Sequence, residues 1–173
     1  MRLFIGIDLP DSVKQEIDHY LRPFHQSPKG WEDPHDYHQT LLFIGATSEE
    51  ELTIIKDRMK NIQFHSFRLE TKGFTFFNRR IMYLAFKTSD ELSKLKRLID
   101  ESFPEWQREG TKEFIPHVTV KRWQRYEYEH LHQSLKSNEF QNIEFEVNKI
   151  SLFLSHKDEL NRKYHVIHNV SLK

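Results

Sequence analysis

The chain has 173 residues, with 26 Lys plus Arg balanced by 26 Asp plus Glu, and no cysteine. Zero formal net charge excludes a global field that draws the protein onto nucleic acid or membrane, so any anion site must be local. A disulfide framework and a thiolate zinc centre are excluded by composition, and no run approaches a membrane span or a secretory leader, so the expectation is one soluble, cytoplasmic domain, a monomer in its simplest form.

In chain order, Arg2 to Leu9 reads as a buried strand. Pro10-Asp11-Ser12 then opens a helix carrying Val13, Ile17, Tyr20 and Leu21 at helical spacing, which Pro23 and the Ser27-Pro28-Lys29-Gly30 cluster end. Tyr37 to Ile44 is a second strand, stopped by Gly45. Thr47 or Ser48 caps a helix with the stripe Leu52, Ile55 and Met59. Phe67 to Phe77 and Ile81 to Lys87 read as strands joined by the turn Asn78-Arg79-Arg80. Ser89 caps a third helix with the face Leu92, Leu95, Leu98, Ile99 and Phe103. A strand over His117 to Arg122 and a polar helix around Tyr126 to Leu135 follow. Two long strands, Ile143 to Ser155 and Lys163 to Leu172, close the chain as a hairpin across Lys157 to Asn161.

Within this order, two short strings stand out: His38-Gln39-Thr40-Leu41 and His117-Val118-Thr119-Val120. Each is His-x-Thr followed by an aliphatic residue, on a strand. Side chains alternate across a strand, so His and Thr at i and i+2 share one face and the aliphatic residue points into a core. From the residue frequencies, two independent copies have a chance likelihood of about 0.02. His117 follows His38 by 79 residues, close to half the chain. Two related halves would bring both His-x-Thr faces to one cleft about a pseudo-two-fold axis.

Such a pair suits proton transfer at a phosphate. An imidazole with its ordinary pKa near 6.5 both donates and accepts protons around neutrality. One neutral histidine can take a proton from an attacking water while the other, protonated, delivers one to a departing ribose oxygen. Thr40 and Thr119 can donate to the non-bridging oxygens. This scheme calls for no metal or cofactor. The close histidine pairs His35/His38, His130/His132 and His165/His168 complete no three- or four-ligand pattern.

The residues also carry a family resemblance. His38-Gln39-Thr40-Leu41 and Phe114-Ile115-Pro116-His117-Val118-Thr119-Val120-Lys121-Arg122 resemble the paired signatures of the 2H phosphoesterase superfamily. More closely, they resemble the bacterial RNA 2′,3′-cyclic phosphodiesterases, also called 2′-5′ RNA ligases of the LigT/ThpR type. Arg2 to Pro10 is similar to that family's first strand, Trp31 to the tryptophan before its first motif, and Leu152-Phe153-Leu154-Ser155 with Tyr164 to its closing hairpin. The resemblance implies a bilobal, duplicated α+β fold, with two pseudo-symmetric antiparallel-sheet lobes and outer helices around a central cleft, all within one domain spanning residues 1–173. It also implies metal-independent hydrolysis of RNA 2′,3′-cyclic phosphate termini to 2′-phosphomonoesters. By motif position His38 is the acid on the 3′-oxygen, His117 the base activating water, and Arg122 a phosphate contact. Gly30 stands where the family commonly has a basic residue, and Asn78-Arg79-Arg80 matches its Pro-Arg turn only approximately.

Other readings remain beside this one. The histidines of an RNA-binding module would hold phosphate without turnover. A 2H enzyme for another cyclic phosphate, such as ADP-ribose 1″,2″-cyclic phosphate, or for a 2′-5′ linked oligonucleotide would use the same motifs. Trp31, Phe74 and Phe76 could stack on a base, although core packing is the commoner use of strand aromatics. Lys121-Arg122, Arg125 and Arg79-Arg80 could form a basic rim for RNA.

Overall fold

The computed structural model describes residues 1–25, 29–107, 113–122, 128–136, 138–160 and 162–173. The elements in order are β1 (Arg2–Asp8), α1 (Asp11–Leu21), β2 (His38–Ala46), α2 (Glu49–Lys60), β3 (Phe67–Phe77), β4 (Ile81–Phe86), α3 (Asp90–Ser102), β5 (His117–Arg122), α4 (Tyr128–Lys136), β6 (Glu144–Val147), β7 (Lys149–Ser155) and β8 (Tyr164–Ser171). They build two antiparallel four-stranded sheets, ordered β2-β1-β7-β8 and β5-β4-β3-β6. The expected pair of antiparallel lobes is therefore present, and each His-x-Thr string lies on an edge strand of its own sheet. The start of the expected Tyr126–Leu135 helix, and Ser27, Pro28 and Asn161 of the expected turns, lie outside the described residues.

The helices form where local chemistry agrees with the apolar stripe. Ser48 caps α2 through a reciprocal capping box with Glu51, and Ser89 accepts from the Leu92 N–H at the start of α3. The inward faces are Val13, Ile17 and Leu21 of α1, Ile55 and Met59 of α2, and Leu92, Leu95 and Ile99 of α3. These join Leu3, Ile5 and Leu152 of one sheet and Leu69, Leu84 and Val118 of the other in one continuous core. Each such aliphatic side chain stabilises the fold by roughly 1.5–3 kcal/mol through burial.

One expectation is corrected. Ile143 to Ser155 is not one strand: β6 pairs with Phe67–Glu70 of β3, whereas β7 pairs with β1, so the chain passes between sheets at Asn148. Phe145 and Val147 set an odd-numbered apolar face; the successive polar residues Asn148 and Lys149 shift the phase, and Ile150 and Leu152 then set an even-numbered one. A phase change within a period-2 pattern turns the side chains to the opposite face, and here the strand changes sheet. The two lobes are thus not the two halves of the chain. β3, from the first half, pairs with β6 from the second, and β7, from the second, pairs with β1 from the first.

The turn after β3 places Asn78 at φ 48° and Arg79 at φ 55°, with the Arg80 N–H donating to the Phe77 carbonyl at 3.0 Å. Two successive positive φ values define a type I′ hairpin turn, whose second position favours glycine. Arg79→Gly is therefore expected to stabilise the protein by about 0.5–1 kcal/mol, measured as a rise in urea midpoint with an unchanged m-value. A lower midpoint would mean that the exposed Arg79–Glu129 ion pair outweighs the backbone strain.

Candidate active site

The two edge strands converge on one cleft. It is lined by His38, Thr40 and Phe43 of β2, His117, Thr119 and Arg122 of β5, and Phe4, Glu32, Asp36 and Tyr164. All five site residues expected from sequence, His38, Thr40, His117, Thr119 and Arg122, are brought together there.

The strands share a detailed pattern. In β2 the sequence of exposure is half-buried His38, buried Gln39, half-buried Thr40, buried Leu41 and Leu42, exposed Phe43. In β5 it is half-buried His117, buried Val118, half-buried Thr119, buried Val120 and Lys121, exposed Arg122. Strict alternation would put the fourth residue after the histidine on the His-Thr face. Instead the pairing skips a residue. Thr40 faces Gly6 but Leu42 faces Ile5, and Thr119 faces Tyr83 but Lys121 faces Met82. A bulge at Leu41 and another at Val120 shift the phase, which re-aims the fifth residue into the cleft.

Each imidazole is held in the same way. His38 Nδ1 bonds the Asp36 carbonyl at 2.6 Å, and His117 Nδ1 bonds the Ile115 carbonyl at 2.7 Å. A carbonyl only accepts, so Nδ1 carries a proton in both rings and Nε2 is left for the cleft. Aromatic pairs brace the rings. Phe4 stacks on Phe153 at 4.7 Å beside His38, and Phe77 stacks on Tyr83 at 3.9 Å beside His117. The Tyr164 ring meets His38 edge-on at 4.7 Å.

Burial in these aromatic boxes lowers both histidine pKa values. His38 falls to about 4, against the opposing effects of its bond to the Asp36 carbonyl and the charges of Asp8 and Glu32. His117 is lowered mainly by burial, with the Arg122 charge acting in the same direction. The unliganded site is therefore neutral at both rings near pH 7.

The surroundings are tied to both strands. The buried Glu32 carboxylate accepts from Arg122 Nε at 3.1 Å and from Lys163 Nζ, while Arg122 Nη2 reaches Thr119 Oγ1 at 3.5 Å. The buried Asp36 carboxylate accepts the Lys163 and Tyr164 backbone N–H groups, which fixes the start of β8 against the first motif. Gln39, the variable residue of the first motif, accepts from the His117 N–H through Oε1 and so links the two motif strands directly. Gly30 N-terminal to Trp31 has a steric origin. Its carbonyl accepts from the Arg122 N–H at 2.7 Å, its φ is 86°, and a Cβ there would lie 1.9 Å from the Arg122 carbonyl oxygen.

Sequence reasoning missed Phe4, Glu32, Asp36, Phe43 and Tyr164. Glu32 and Asp36 were discoverable only as acids close before a motif strand. The repeated spacing from His38 to Phe43 and from His117 to Arg122 was a usable signal for Phe43. The candidate stacking residues Trp31, Phe74 and Phe76 do not line the cleft. Trp31 packs between His25 and the Lys121 ammonium, Phe74 stacks on Tyr20, and Phe76 meets His132. Of the candidate basic rim, Arg122 lines the cleft, Lys121 is buried with its Nζ donating to the Lys29 carbonyl, and Arg79 lies near Glu129. Arg125 lies outside the described residues. Of the histidine pairs, the Nδ1 of His38 is committed to a carbonyl, and no cluster of three or more His, Asp or Glu suited to a metal occurs among the described residues. No helix among the described residues is long and apolar enough to cross a membrane.

With this geometry in hand, known proteins give a consistent comparison. The family model described as the 2′-5′ RNA ligase superfamily matches residues 9–159. An RNA 2′,3′-cyclic phosphodiesterase of Archaeoglobus fulgidus is 29% identical over 131 residues, covering 72% of this chain and 74% of that protein. One from Aquifex aeolicus is 29% identical over 171 residues, covering 90% and 88%. The crystal structure of E. coli LigT complexed with 3′-AMP superposes with a TM-score of 0.76 at 20% identity, covering 99% of this chain and 97% of that one.

Two outcomes test the site's construction. Gly30→Ala forces a backbone clash as well as an unfavourable φ, and is expected to lower unfolding free energy by about 3 kcal/mol or more; wild-type stability in urea would contradict the close approach. The lowered histidine pKa values also set a pH dependence. The unfolded chain binds protons at His38 from about pH 6.5 downward and the folded one only near pH 4, so stability is full above pH 6.5 and falls between those values. Urea midpoints taken from pH 7 to pH 4 should show this fall, and His38→Gln should flatten it.

Proposed function

This chain belongs to the 2′-5′ RNA ligase superfamily, and from that premise we propose that it hydrolyses 2′,3′-cyclic phosphate ends of RNA or nucleotides to 2′-phosphomonoesters without a metal. The observation that carries the reading is the convergence of both His-x-Thr strings on one cleft. The names of the curated relatives support the substrate class, and the 3′-AMP held by E. coli LigT supports a nucleotide as ligand.

The chemistry follows from the Nε2 atoms. His117 Nε2, unprotonated, takes a proton from a water whose oxygen attacks phosphorus. The bond from phosphorus to the 3′-oxygen breaks, and protonated His38 Nε2 donates its proton to that oxygen. The product is a 2′-phosphomonoester with a free 3′-hydroxyl, and the two imidazoles have exchanged protonation states, which solvent resets. Thr40, Thr119 and Arg122 hold the non-bridging oxygens, where negative charge grows. The charges around the rings favour this division. Asp8 and Glu32 favour a protonated His38, with Lys14 acting the other way, whereas Arg122 opposes protonation of His117. An arriving phosphate anion supplies the further attraction that protonates His38 against its burial.

Each of His38→Ala and His117→Ala is expected to lower turnover of a 2′,3′-cyclic-phosphate RNA by about 10²–10⁴-fold, with the circular-dichroism spectrum retained and with wild-type activity unaffected by EDTA. The terminal phosphate should be on the 2′-oxygen. Full activity in both variants would remove these residues from the reaction. Tight binding of the RNA by the wild-type protein without cleavage over hours would instead favour a non-catalytic RNA-binding module.

A further inference from the structure

Gln39 is a polar side chain in an apolar place. It lies between His38 and Thr40 on β2, so alternation sends it away from the cleft, and it is 1% exposed. At the matching place in the second motif stands Val118, a member of the hydrophobic core. Burying a carboxamide is unfavourable unless its donor and its acceptor are both bonded. Here they are. Oε1 accepts the His117 N–H, and Nε2 donates to the Thr40 carbonyl at 2.6 Å. Both partners are backbone groups of fixed polarity, so the amide fits in one orientation only.

The two partners belong to β5 and β2, the edge strands of different sheets. The Gln39 amide stands between them as an inserted peptide group would, accepting from one edge and donating to the other. β5 is therefore tied at two points. At its far end Glu32 N–H donates to the Val120 carbonyl and Arg122 N–H donates to Gly30. At its histidine end the tie is Gln39. The His117 ring meets Phe77 and Tyr83 of its own sheet, and its Nδ1 bonds the Ile115 carbonyl two residues earlier. Those contacts fix the ring relative to β5 and leave its place relative to His38 to the tie between the strands.

We infer that Gln39 is a positioning residue: its carboxamide, bonded to the backbone of both motif strands, sets the register in which His38 and His117 face one phosphate. The inference rests on the cyclic-phosphate reading above for the reaction that this register serves. Gln39 is not part of the cleft lining, so it acts through its neighbours and not on the substrate. Its loss frees the histidine end of β5 to hinge about the end held by residues 30–32. Arg122, at the held end, keeps its place, so ground-state binding changes little. A general base must stand within hydrogen-bond reach of its water, and a misplacement of about 1 Å costs on the order of 10²-fold in rate.

The test compares the wild type with Gln39→Met, Gln39→Glu and Ile55→Val. Methionine fills a similar space without an N–H donor or a strong acceptor. Glutamate keeps an oxygen for His117 and has no N–H for Thr40. Ile55→Val is a core change in α2, outside the cleft lining, and reports loss of stability alone. For each protein, kcat and KM on a 2′,3′-cyclic-phosphate dinucleotide, the urea midpoint, and the exchange rate of the His117 amide by NMR are measured. Gln39→Met is expected to lower kcat about 10²-fold with KM within about threefold. Its His117 amide should exchange about tenfold faster or more. Gln39→Glu should keep that amide protected and recover part of the rate, and Ile55→Val should keep kcat despite a lower urea midpoint. Wild-type kcat in Gln39→Met, a loss that Ile55→Val shares, or an unchanged His117 exchange rate would each overturn the inference. Should Gln39→Met not fold, Gln39→Glu decides: kcat and His117 protection are expected to be kept or lost together, and either without the other overturns it. A wild type that cleaves no cyclic phosphate defeats the hydrolase reading, and the His117 exchange rates then decide on their own whether Gln39 joins the strands.

Discussion

The arrangement depends on joining two sheet edges that would otherwise be independent. An exposed edge strand offers unpaired N–H and C=O groups to solvent or to another chain. Here some of that edge capacity is spent within the molecule. The Gln39 side chain accepts the His117 N–H, and residues 30–32 run beside the end of β5, with Glu32 N–H donating to Val120 and Arg122 N–H donating to Gly30. These bonds register one motif strand against the other. Without them the His-Thr faces would be two separate surfaces, each with half of the cleft's imidazole and hydroxyl groups.

The same segment shows how backbone and charge requirements coincide. Close approach at Gly30 brings Glu32 beneath Arg122 and Lys163, so a buried carboxylate is neutralised by two half-exposed cations. A buried carboxylate beside an anion site would repel the ligand if left alone. Paired in this way, its charge is compensated and it fixes the Arg122 side chain. The glycine that departs from the family's usual basic residue is thus accounted for by a Cβ that would have no room, and the positive charge near the cleft comes from Arg122 of β5 and from Lys163 just before β8 instead.

Much of this was legible in the sequence, for reasons that differ from element to element. Helices α2 and α3 were readable because Ser48 and Ser89 announce their starts and the apolar stripes have the right period. His38, Thr40, His117 and Thr119 were readable because a repeated three-residue string on a strand fixes a shared face without knowledge of the fold. The exchange of strands between sheets at Asn148 was written only as a phase change, visible once two consecutive polar residues are taken as a break in alternation. Asp36 and Tyr164 were not readable as partners, since they are joined across 128 positions by a backbone N–H that no side-chain pattern encodes. Phe43 was hidden by its neighbours. Leu41-Leu42-Phe43-Ile44 is an unbroken apolar run, in which a bulge alone decides which ring leaves the core.

A neutral resting site has a mechanical consequence for a symmetric frame. Two equivalent histidines, each with Nδ1 tied to the carbonyl two residues earlier, have no reason from the backbone to differ as acid and base. The difference must come from what surrounds them. Carboxylates and the Lys14 ammonium lie on the His38 side and a guanidinium on the His117 side, and burial lowers both rings, His38 to about 4. Charge and the unlike fifth residues, Phe43 and Arg122, therefore break the symmetry of the frame. The duplicated strands supply two imidazoles held alike, and the flanking side chains give them unlike surroundings.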